Sequence, residues 1–167
     1  MMITITEVTT REHISIIEKL AYEIWTEHYI PIIGIEQVEY MLEKYQSNSA
    51  IFSQIKDEGY MYFLMENEKQ AVGYIAVLPG KDGLFLSKFY VHSSYRKRGI
   101  GKKALDFIEQ LARNMNLKKI YLTVNKNNKT AITVYEKLGF INTGSIITDI
   151  GNGFVMDDYK MEKVIKL

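Results

Sequence analysis

Cysteine is absent from the 167-residue sequence, and only two prolines occur, Pro31 and Pro79. Without thiols the chain forms no disulfide and no thiolate metal site, and no acyl group can be carried on an enzyme cysteine. No run approaches the roughly 20 apolar residues that cross a bilayer, and the N-terminal residues lack the pattern of a signal peptide. These absences predict a cytoplasmic protein.

A large excess of either charge is also missing, because 21 Lys and Arg balance 20 Asp and Glu for a net charge of +1. This balance argues against nucleic acid or an anionic membrane as a partner, so any phosphate site must be local. With 47% hydrophobic and 25% charged residues, the composition is that of an ordinary globular protein. We predict a single domain, residues 1–167, with no metal.

Helical and strand-like periods alternate along the chain. A capping pattern of Thr9 and Glu12 predicts a helix that ends near His28, and a second helix follows over 35–45. Strands are predicted at 60–65, 71–78, 84–91, 120–124, 140–148 and 155–163, with helices after Gly99 and after Asn128. Strand, crossover helix and strand predict a parallel pair within a mixed α/β sheet.

The most informative segment runs from Tyr90 to Lys103, where a strand ends and a helix begins. Gly99 and Gly101 permit a tight turn and close approach of a ligand, and the first N–H groups of a helix lack internal partners. Basic side chains surround this point: Arg96, Lys97, Arg98, Lys102 and Lys103. The segment predicts an anion site, the alternative being a solvated basic face. It is neither a Walker A loop nor a dinucleotide fingerprint, which would place a glycine where Ala104 stands.

Residues 96–101 match the pattern Arg/Gln-x-x-Gly-x-Gly/Ala. Asn128, Ala131 and the run from Tyr135 to Phe140 match a second motif of the same family. In this order, the two motifs resemble those of the GNAT superfamily of N-acetyltransferases, and the matching region covers about 84–140. The resemblance implies the GNAT acyl-CoA N-acyltransferase fold, a mixed and mostly antiparallel central sheet with flanking helices and a central splayed parallel strand pair.

The resemblance also implies acetyl-CoA as cosubstrate. Main-chain groups would form hydrogen bonds to its pantetheine arm, and the loop before the helix would bind its pyrophosphate. The residues implied in this are Phe89, Tyr90, Val91, Arg96, Lys97, Arg98, Gly99, Ile100, Gly101, Lys102 and Asn128. Tyr135 is implied as the acid that protonates the departing thiolate. Its alternative role is that of an aromatic side chain packed in the core.

The implied reaction is direct attack of an amine on acetyl-CoA in a ternary complex, which agrees with the lack of cysteine. Where many relatives carry a glutamate, this chain has Ser87 and Thr123, unlike the ribosomal-protein N-terminal acetyltransferases. The proton acceptor therefore stays open between a water relay and five side chains: His28, Glu27, His92, Asp157 and Asp158.

The resemblance places the acceptor near the first helices and the last strands. The candidate residues there are Trp25, Glu27, His28, Tyr29, Tyr40 and Asp158. They form either an aromatic slot with an acid for a cationic amine, as in bacterial polyamine acetyltransferases, or core aromatics beside a solvated helix end. We predict acetyl transfer to a primary amine of a small molecule or peptide, with a homodimer as one possible assembly. The alternatives are a non-catalytic acyl-CoA sensor and, against the charge balance, a nucleic-acid contact.

Overall fold

The computed structural model describes residues 2–166, in which four helices follow the first strand and three consecutive strands follow those helices. The strands are β1 (Ile3–Glu7), β2 (Met61–Asn67), β3 (Gln70–Pro79), β4 (Leu84–Val91), β5 (Lys119–Asn125), β6 (Ile141–Gly151) and β7 (Phe154–Val164). The helices are α1 (Arg11–His28), α2 (Ile30–Ile33), α3 (Ile35–Gln46), α4 (Asn48–Asp57), α5 (Ile100–Asn114) and α6 (Lys129–Lys137). A 3-10 turn, Ser93–Tyr95, lies between β4 and α5.

The sheet is mixed and mostly antiparallel, which confirms the predicted fold class. Neighbouring strands follow the order β1-β2-β3-β4 and then β4-β5-β7-β6. The parallel pair is β4 and β5, with Leu84 opposite Ile120 and Phe85 opposite Tyr121. Antiparallel ladders join β1 to β2, β2 to β3, β5 to β7 and β7 to β6.

The chain forms two compact units. The first comprises the residues up to 78 together with 88–101, and the second comprises 79–87 together with the residues from 102 onward. The organisation into one domain that length predicts stays a prediction. Within residues 2–166, no helix is both long enough and apolar enough to cross a membrane.

The core of the first unit is built on β2 and β3. Residues 62–65 and 72–77 are buried without interruption, as in strands that are covered on both faces. A two-residue turn joins the strands, and its residues Glu68 and Lys69 have φ values of 50° and 70°, as a tight hairpin turn requires. Helix α1 buries the apolar stripe that its period predicts: Ile14, Ile17, Leu20, Ala21, Ile24 and Trp25.

Several details of this unit differ from the sequence prediction. The cap of α1 is Thr10, whose hydroxyl accepts from His13 N at 3.1 Å, so the predicted cap at Thr9 is wrong by one residue. Strand β1 and the helices α2 and α4 were not predicted. In α4 the two buried positions are Ile51 and Gln54, so a polar residue interrupts the apolar stripe from which a helix is predicted.

Gln54 belongs to a buried polar cluster around Lys88, a β4 residue that is 6% exposed. Lys88 Nζ donates to Tyr45 O at 2.6 Å, to Gln54 Oε1 at 3.2 Å and to the Tyr62 hydroxyl, which itself donates to Gln54. Burial lowers the pKa of Lys88 to about 7. The three acceptors offset the cost of burying an ammonium group, so the cluster connects β4 to α3, α4 and β2.

The second unit combines an amphipathic crossover helix with a three-strand antiparallel arrangement. Helix α5 directs Ala104, Leu105, Ile108 and Ala112 into the core, as the predicted period requires. On β5 the buried residues alternate with more exposed ones. Strands β6 and β7 extend beyond their predicted bounds because the turn between them is only two residues long, Asn152 and Gly153, both with positive φ.

Candidate functional site

The predicted anion loop begins where β4 ends. After the 3-10 turn the backbone enters the left-handed region twice, at Lys97 with φ 62° and at Gly99 with φ 79°. Ile100 is buried and starts α5, whereas residues 96–99 are exposed. An added Cβ would meet nothing within 4 Å at Gly99 or at Gly101. The loop therefore presents an open backbone surface immediately before the N-terminus of a helix.

Three hydrogen bonds hold this bend in place. His92 N donates to Val72 O at 2.8 Å, and Tyr95 OH donates to Gln70 Oε1 at 2.9 Å, so the turn is anchored to β3. Arg96 Nε donates to Val91 O at 3.2 Å, which closes the bend on the end of β4 itself. Within the predicted cofactor set, Arg96 and Val91 thus contact each other, and Arg98 lies over the Tyr95 ring at 5.4 Å.

Gly73 fixes how closely β3 approaches the end of β4. A Cβ on Gly73 would lie 2.4 Å from Tyr90 O and 3.2 Å from Val91 Cα, so any larger residue would push the strands apart. This contact aligns the strand segment for which the sequence predicted pantetheine contacts. No role for Gly73 was predicted from the sequence, because a glycine within an apolar strand carries no motif of its own.

His92 and Ser93 connect this turn to helix α1. His92 Nδ1 accepts from Ser94 N at 3.2 Å, which leaves the proton on Nε2, and Nε2 lies 3.5 Å from Glu23 Oε2. Ser93 Oγ donates to Glu27 Oε2 at 3.0 Å. Both nitrogens of His92 are thus engaged in positioning, which favours its alternative role as a loop residue over that of a proton acceptor.

The predicted acceptor aromatics are partly brought together in the first unit. Trp25 is buried and stacks on Tyr29 with ring centroids 4.4 Å apart, and both rings meet Tyr90 edge-on at 5.7 and 6.2 Å. His28 packs edge-on against Tyr29 at 4.8 Å. Of these rings, Tyr29, His28 and Tyr90 are half-buried. The aromatic cluster therefore connects the end of α1 to the predicted cofactor strand.

Tyr40 and Lys102 contact neighbours on their own helices. On α3, Lys44 Nζ donates to the Tyr40 hydroxyl at 3.2 Å, and this bond raises the pKa of Lys44. On α5, Lys102 forms an ion pair with Asp106 at 2.6 Å that raises the pKa of Lys102. Both lysines are fully exposed, so each is a surface interaction of small energy.

In the second unit, Asn128 caps helix α6. It is 2% exposed, its side-chain oxygen accepts from Ala131 N at 3.3 Å, and its own N donates to Asn125 O at 2.9 Å. Tyr135 lies two turns further along α6. Its half-buried ring packs edge-on against Phe140 at 5.5 Å, and Phe140 N donates to Tyr135 O at 3.0 Å. The Gly-Phe end of the motif thus fixes the tyrosine ring.

Asp158 is a buried carboxylate in the middle of β7, with 5% exposure. It lies opposite Asn125 on β5 and Ile146 on β6, so the three side chains share one face of the sheet. Burial, assisted by the neighbouring Asp157, raises the pKa of Asp158 to about 6. Asp157 is exposed and forms an ion pair with Lys126 at 3.0 Å. The two adjacent carboxylates therefore have different chemistry.

Comparison with known proteins agrees with these motifs. The family model described as "Acetyltransferase (GNAT) family" matches residues 18–140. The chain belongs to this family. The GNAT resemblance predicted from residues 84–140 is thereby confirmed, and the match extends back into α1, where the sequence offered no motif.

Curated relatives match the chain over shorter stretches. The uncharacterized N-acetyltransferase YycN of Bacillus subtilis is 32% identical over 94 residues, which is 53% of this chain and 60% of that protein. The spermine/spermidine N(1)-acetyltransferase of Bacillus subtilis is 36% identical over 64 residues, 38% of this chain and 42% of that protein. The chain spans about half the length of the curated relatives it matches.

Solved structures share the fold over nearly the whole length. The PaiA N-acetyltransferase of Thermoplasma acidophilum, crystallised with coenzyme A, superposes with a TM-score of 0.81 at 20% identity and covers 98% of this chain and 99% of its own. The ribosomal-protein-S18-alanine N-acetyltransferase of Escherichia coli gives 0.69 at 19% identity, with 99% and 96% covered. At such low identity these similarities establish the fold alone.

A matched pair of glycine substitutions tests the predicted role of the open loop in binding coenzyme A. Gly99→Ala forces alanine to φ 79°, which costs roughly 1–2 kcal/mol or reshapes the turn, so affinity for coenzyme A, the ligand expected from the sequence, should fall at least about tenfold. Gly101→Ala is the control, because its Cβ is equally unobstructed, its φ is helical and the motif admits alanine there. Calorimetric titration with coenzyme A measures both. Equal affinity in the two variants would contradict the predicted role of the loop.

Proposed function

We propose that the protein is an acetyl-CoA-dependent N-acetyltransferase that acts on a primary amine of a small molecule or peptide. The observation that carries this proposal is the bend at residues 96–101, where Gly99 at φ 79° opens directly onto the N-terminus of α5. Membership of the GNAT family gives the bend its chemical context.

The residues present suit coenzyme A. Open space above Gly99 and Gly101 leaves room for a pyrophosphate against the backbone, and helix N–H groups together with the exposed Arg96, Lys97 and Arg98 supply the opposing positive charge. Main-chain groups of Phe89, Tyr90 and Val91 would hold the pantetheine arm. When bound, the coenzyme supplies an acetyl group as a thioester.

Transfer is proposed to be direct. The chain has no cysteine to carry the acetyl group, so the amine nitrogen itself forms the new bond to the carbonyl carbon as the bond from carbon to sulfur breaks. Most of the acceleration then comes from aligning two bound substrates. An alkylamine, whose pKa is near 10, must also lose a proton before or during attack.

Two side chains are proposed to handle protons. Tyr135 would donate its phenolic proton to the departing sulfur, a role that its motif position and its fixed ring support. Asp158 would accept the proton of the amine, since a carboxylate with a pKa of about 6 is ionised at neutral pH yet more basic than an ordinary aspartate. Asp158 would then replace the glutamates missing at Ser87 and Thr123.

The proposed acceptor is a cationic small amine of the polyamine type. The half-buried rings of Tyr29 and Tyr90, which pack on the buried Trp25, offer π faces, and the exposed Glu27 on the same helix as Trp25 offers a carboxylate. The partial match to the Bacillus subtilis spermine/spermidine acetyltransferase supports this substrate class.

A panel of amines tests the proposed function. Purified protein is incubated with acetyl-CoA and, in turn, with spermidine, spermine, a monoamine such as butylamine and a short peptide with a free N-terminus, and the released thiol is measured. We expect turnover with at least one amine and a preference for the polyamines. Tight coenzyme binding without turnover on any amine would indicate the acyl-CoA sensor instead.

Tyr135→Phe tests the acid. It removes only the hydroxyl and keeps the contact with Phe140, so kcat should fall about 100-fold while the dissociation constant of coenzyme A changes less than about twofold. Tyr22→Phe is the control, because Tyr22 is a surface residue with 63% exposure. Unchanged turnover in Tyr135→Phe would remove this residue as the acid.

Asp158→Asn tests the proton acceptor. In the unmodified protein kcat/KM should rise with pH through about 6, because the carboxylate must be ionised to accept a proton. Asp158→Asn should lower kcat about 100-fold and abolish this rise.

Asp157→Asn is the matched control for Asp158. It removes the negative charge that raises the pKa of Asp158, and it leaves Lys126 without its ion pair. Both changes lower the pKa of Asp158, so the rise of kcat/KM should occur at lower pH and reach nearly the same maximum value. A rise that survives in Asp158→Asn would assign the proton acceptor to another group or to water.

A further inference from the structure

Strand β6 presents apolar side chains to solvent on both faces of the sheet edge. It is the last strand in the order and pairs with β7. Ile146 is 39% exposed and Ile147 68% exposed, and successive residues of a strand point to opposite faces. A helix or a small ligand would cover only one of the two side chains. A strand that continues the sheet would cover both.

The centre of the edge has few of the features that normally prevent strand addition. Among its eleven residues the only charged one is Asp149, and neither lysine nor proline occurs, although edges are usually protected by such residues. Two register shifts, at 142–144 and at 149–151, flank the strand. Between them, residues 144–149 keep an unbroken register with β7, so the central segment remains regular enough to pair on its outer side.

We propose that β6 pairs antiparallel with β6 of a second copy of this chain about a two-fold axis at Ile146 or Ile147. A two-fold axis perpendicular to the sheet keeps each face on its own side, so opposed residues share parity along the strand. With the axis at Ile146, Ile146 meets Ile146 of the second copy on one face and Ile147 lies opposite Ser145 on the other. With the axis at Ile147, Ile147 meets its equivalent and Ile146 lies opposite Thr148. Both exposed side chains become buried in a single closed interface.

The charge pattern favours a second copy as the occupant. The centre of β6 is neutral, so two identical strands do not repel each other. The two Asp149 carboxylates lie at least four residue positions apart along the paired strands, about 13 Å, beyond a Debye length at physiological salt. A copy of β6 also has the same length and the same apolar pair, which an unrelated strand supplies only by chance. This inference does not rest on the proposed acetyl transfer.

Because the sequence contains no cysteine, a single introduced cysteine can form a disulfide only with its equivalent in a second copy. Ile146→Cys and Ile147→Cys are oxidised mildly and separated on a non-reducing gel. Directly opposed residues in an antiparallel pair have Cα atoms about 4.5–5.5 Å apart, within the range of a disulfide. The variant at the axis should form a covalent dimer, and its position gives the register.

Ile141→Cys is the matched control, since Ile141 is the same residue type on the same strand with 65% exposure. Its two copies would lie at least ten residue positions apart along the pair, roughly 34 Å. It should stay uncrosslinked under the same conditions. Crosslinking of Ile141→Cys as fast as the other two would overturn the proposal.

Light scattering provides the second measurement. The unmodified protein should have twice its chain mass of 19.4 kDa. Ile147→Lys places two like charges near the axis and should give the monomer mass, whereas Ile141→Lys should keep the dimer. A monomer for the unmodified protein at roughly 100 µM, or a dimer that survives Ile147→Lys and crosslinks at neither central cysteine, would reject this interface.

Discussion

The contact between Gly73 and the end of β4 is the constraint on which the candidate site depends. Because no side chain separates the strands there, Tyr90 O and Val91 Cα lie against β3, and the next residue is held by the bond from His92 N to Val72 O. The chain must then leave the sheet within a few residues. Arg96 stabilises that departure by bonding back to Val91. The exposed bend before α5 is thus the direct consequence of a strand fixed tightly up to its last residue.

One face of β4 holds the helices of the first unit, by two different kinds of interaction. Lys88 and Tyr90 have the same parity, so they point to the same face of the strand. Lys88 reaches the polar groups of Tyr45, Gln54 and Tyr62, and Tyr90 contacts the rings of Trp25, Tyr29 and Tyr74. The hydrogen bonds of the polar cluster require particular donor and acceptor directions, whereas the ring contacts of the aromatic cluster do not. Together they fix helix positions on the same strand that leads into the anion loop.

Periodicity and local turn chemistry predicted most of the fold, because helices α1, α3 and α5 each bury a stripe that recurs at helical spacing, whereas α6 buries none of its residues and was predicted from its Asn128 cap. The anion loop was also predictable, since glycines and a helix start are local signals. Helix α4 was missed because Gln54 faces the core, and the buried glutamine is explained by its tertiary partners Tyr45, Tyr62 and Lys88, the last of them 34 positions away. Gly73 was missed for the same reason, since its partner Tyr90 is distant in sequence. The contacts of the predicted cofactor and acceptor residues with their ligands stay predictions. Such contacts depend on distances between parts of the chain that are far apart in sequence, and no local pattern encodes those distances.

The two proposals for the second unit meet at a single pair of residues. Ile146 lies opposite Asp158 in the ladder between β6 and β7, and side chains of directly opposed residues are neighbours on one face. Asp158 is already only 5% exposed, so a second β6 strand that covers Ile146 removes little water from the carboxylate itself. Burial within one chain penalises the ionised form and raises the pKa of Asp158. The acid–base chemistry proposed for β7 therefore does not depend on the assembly proposed for the edge of the sheet.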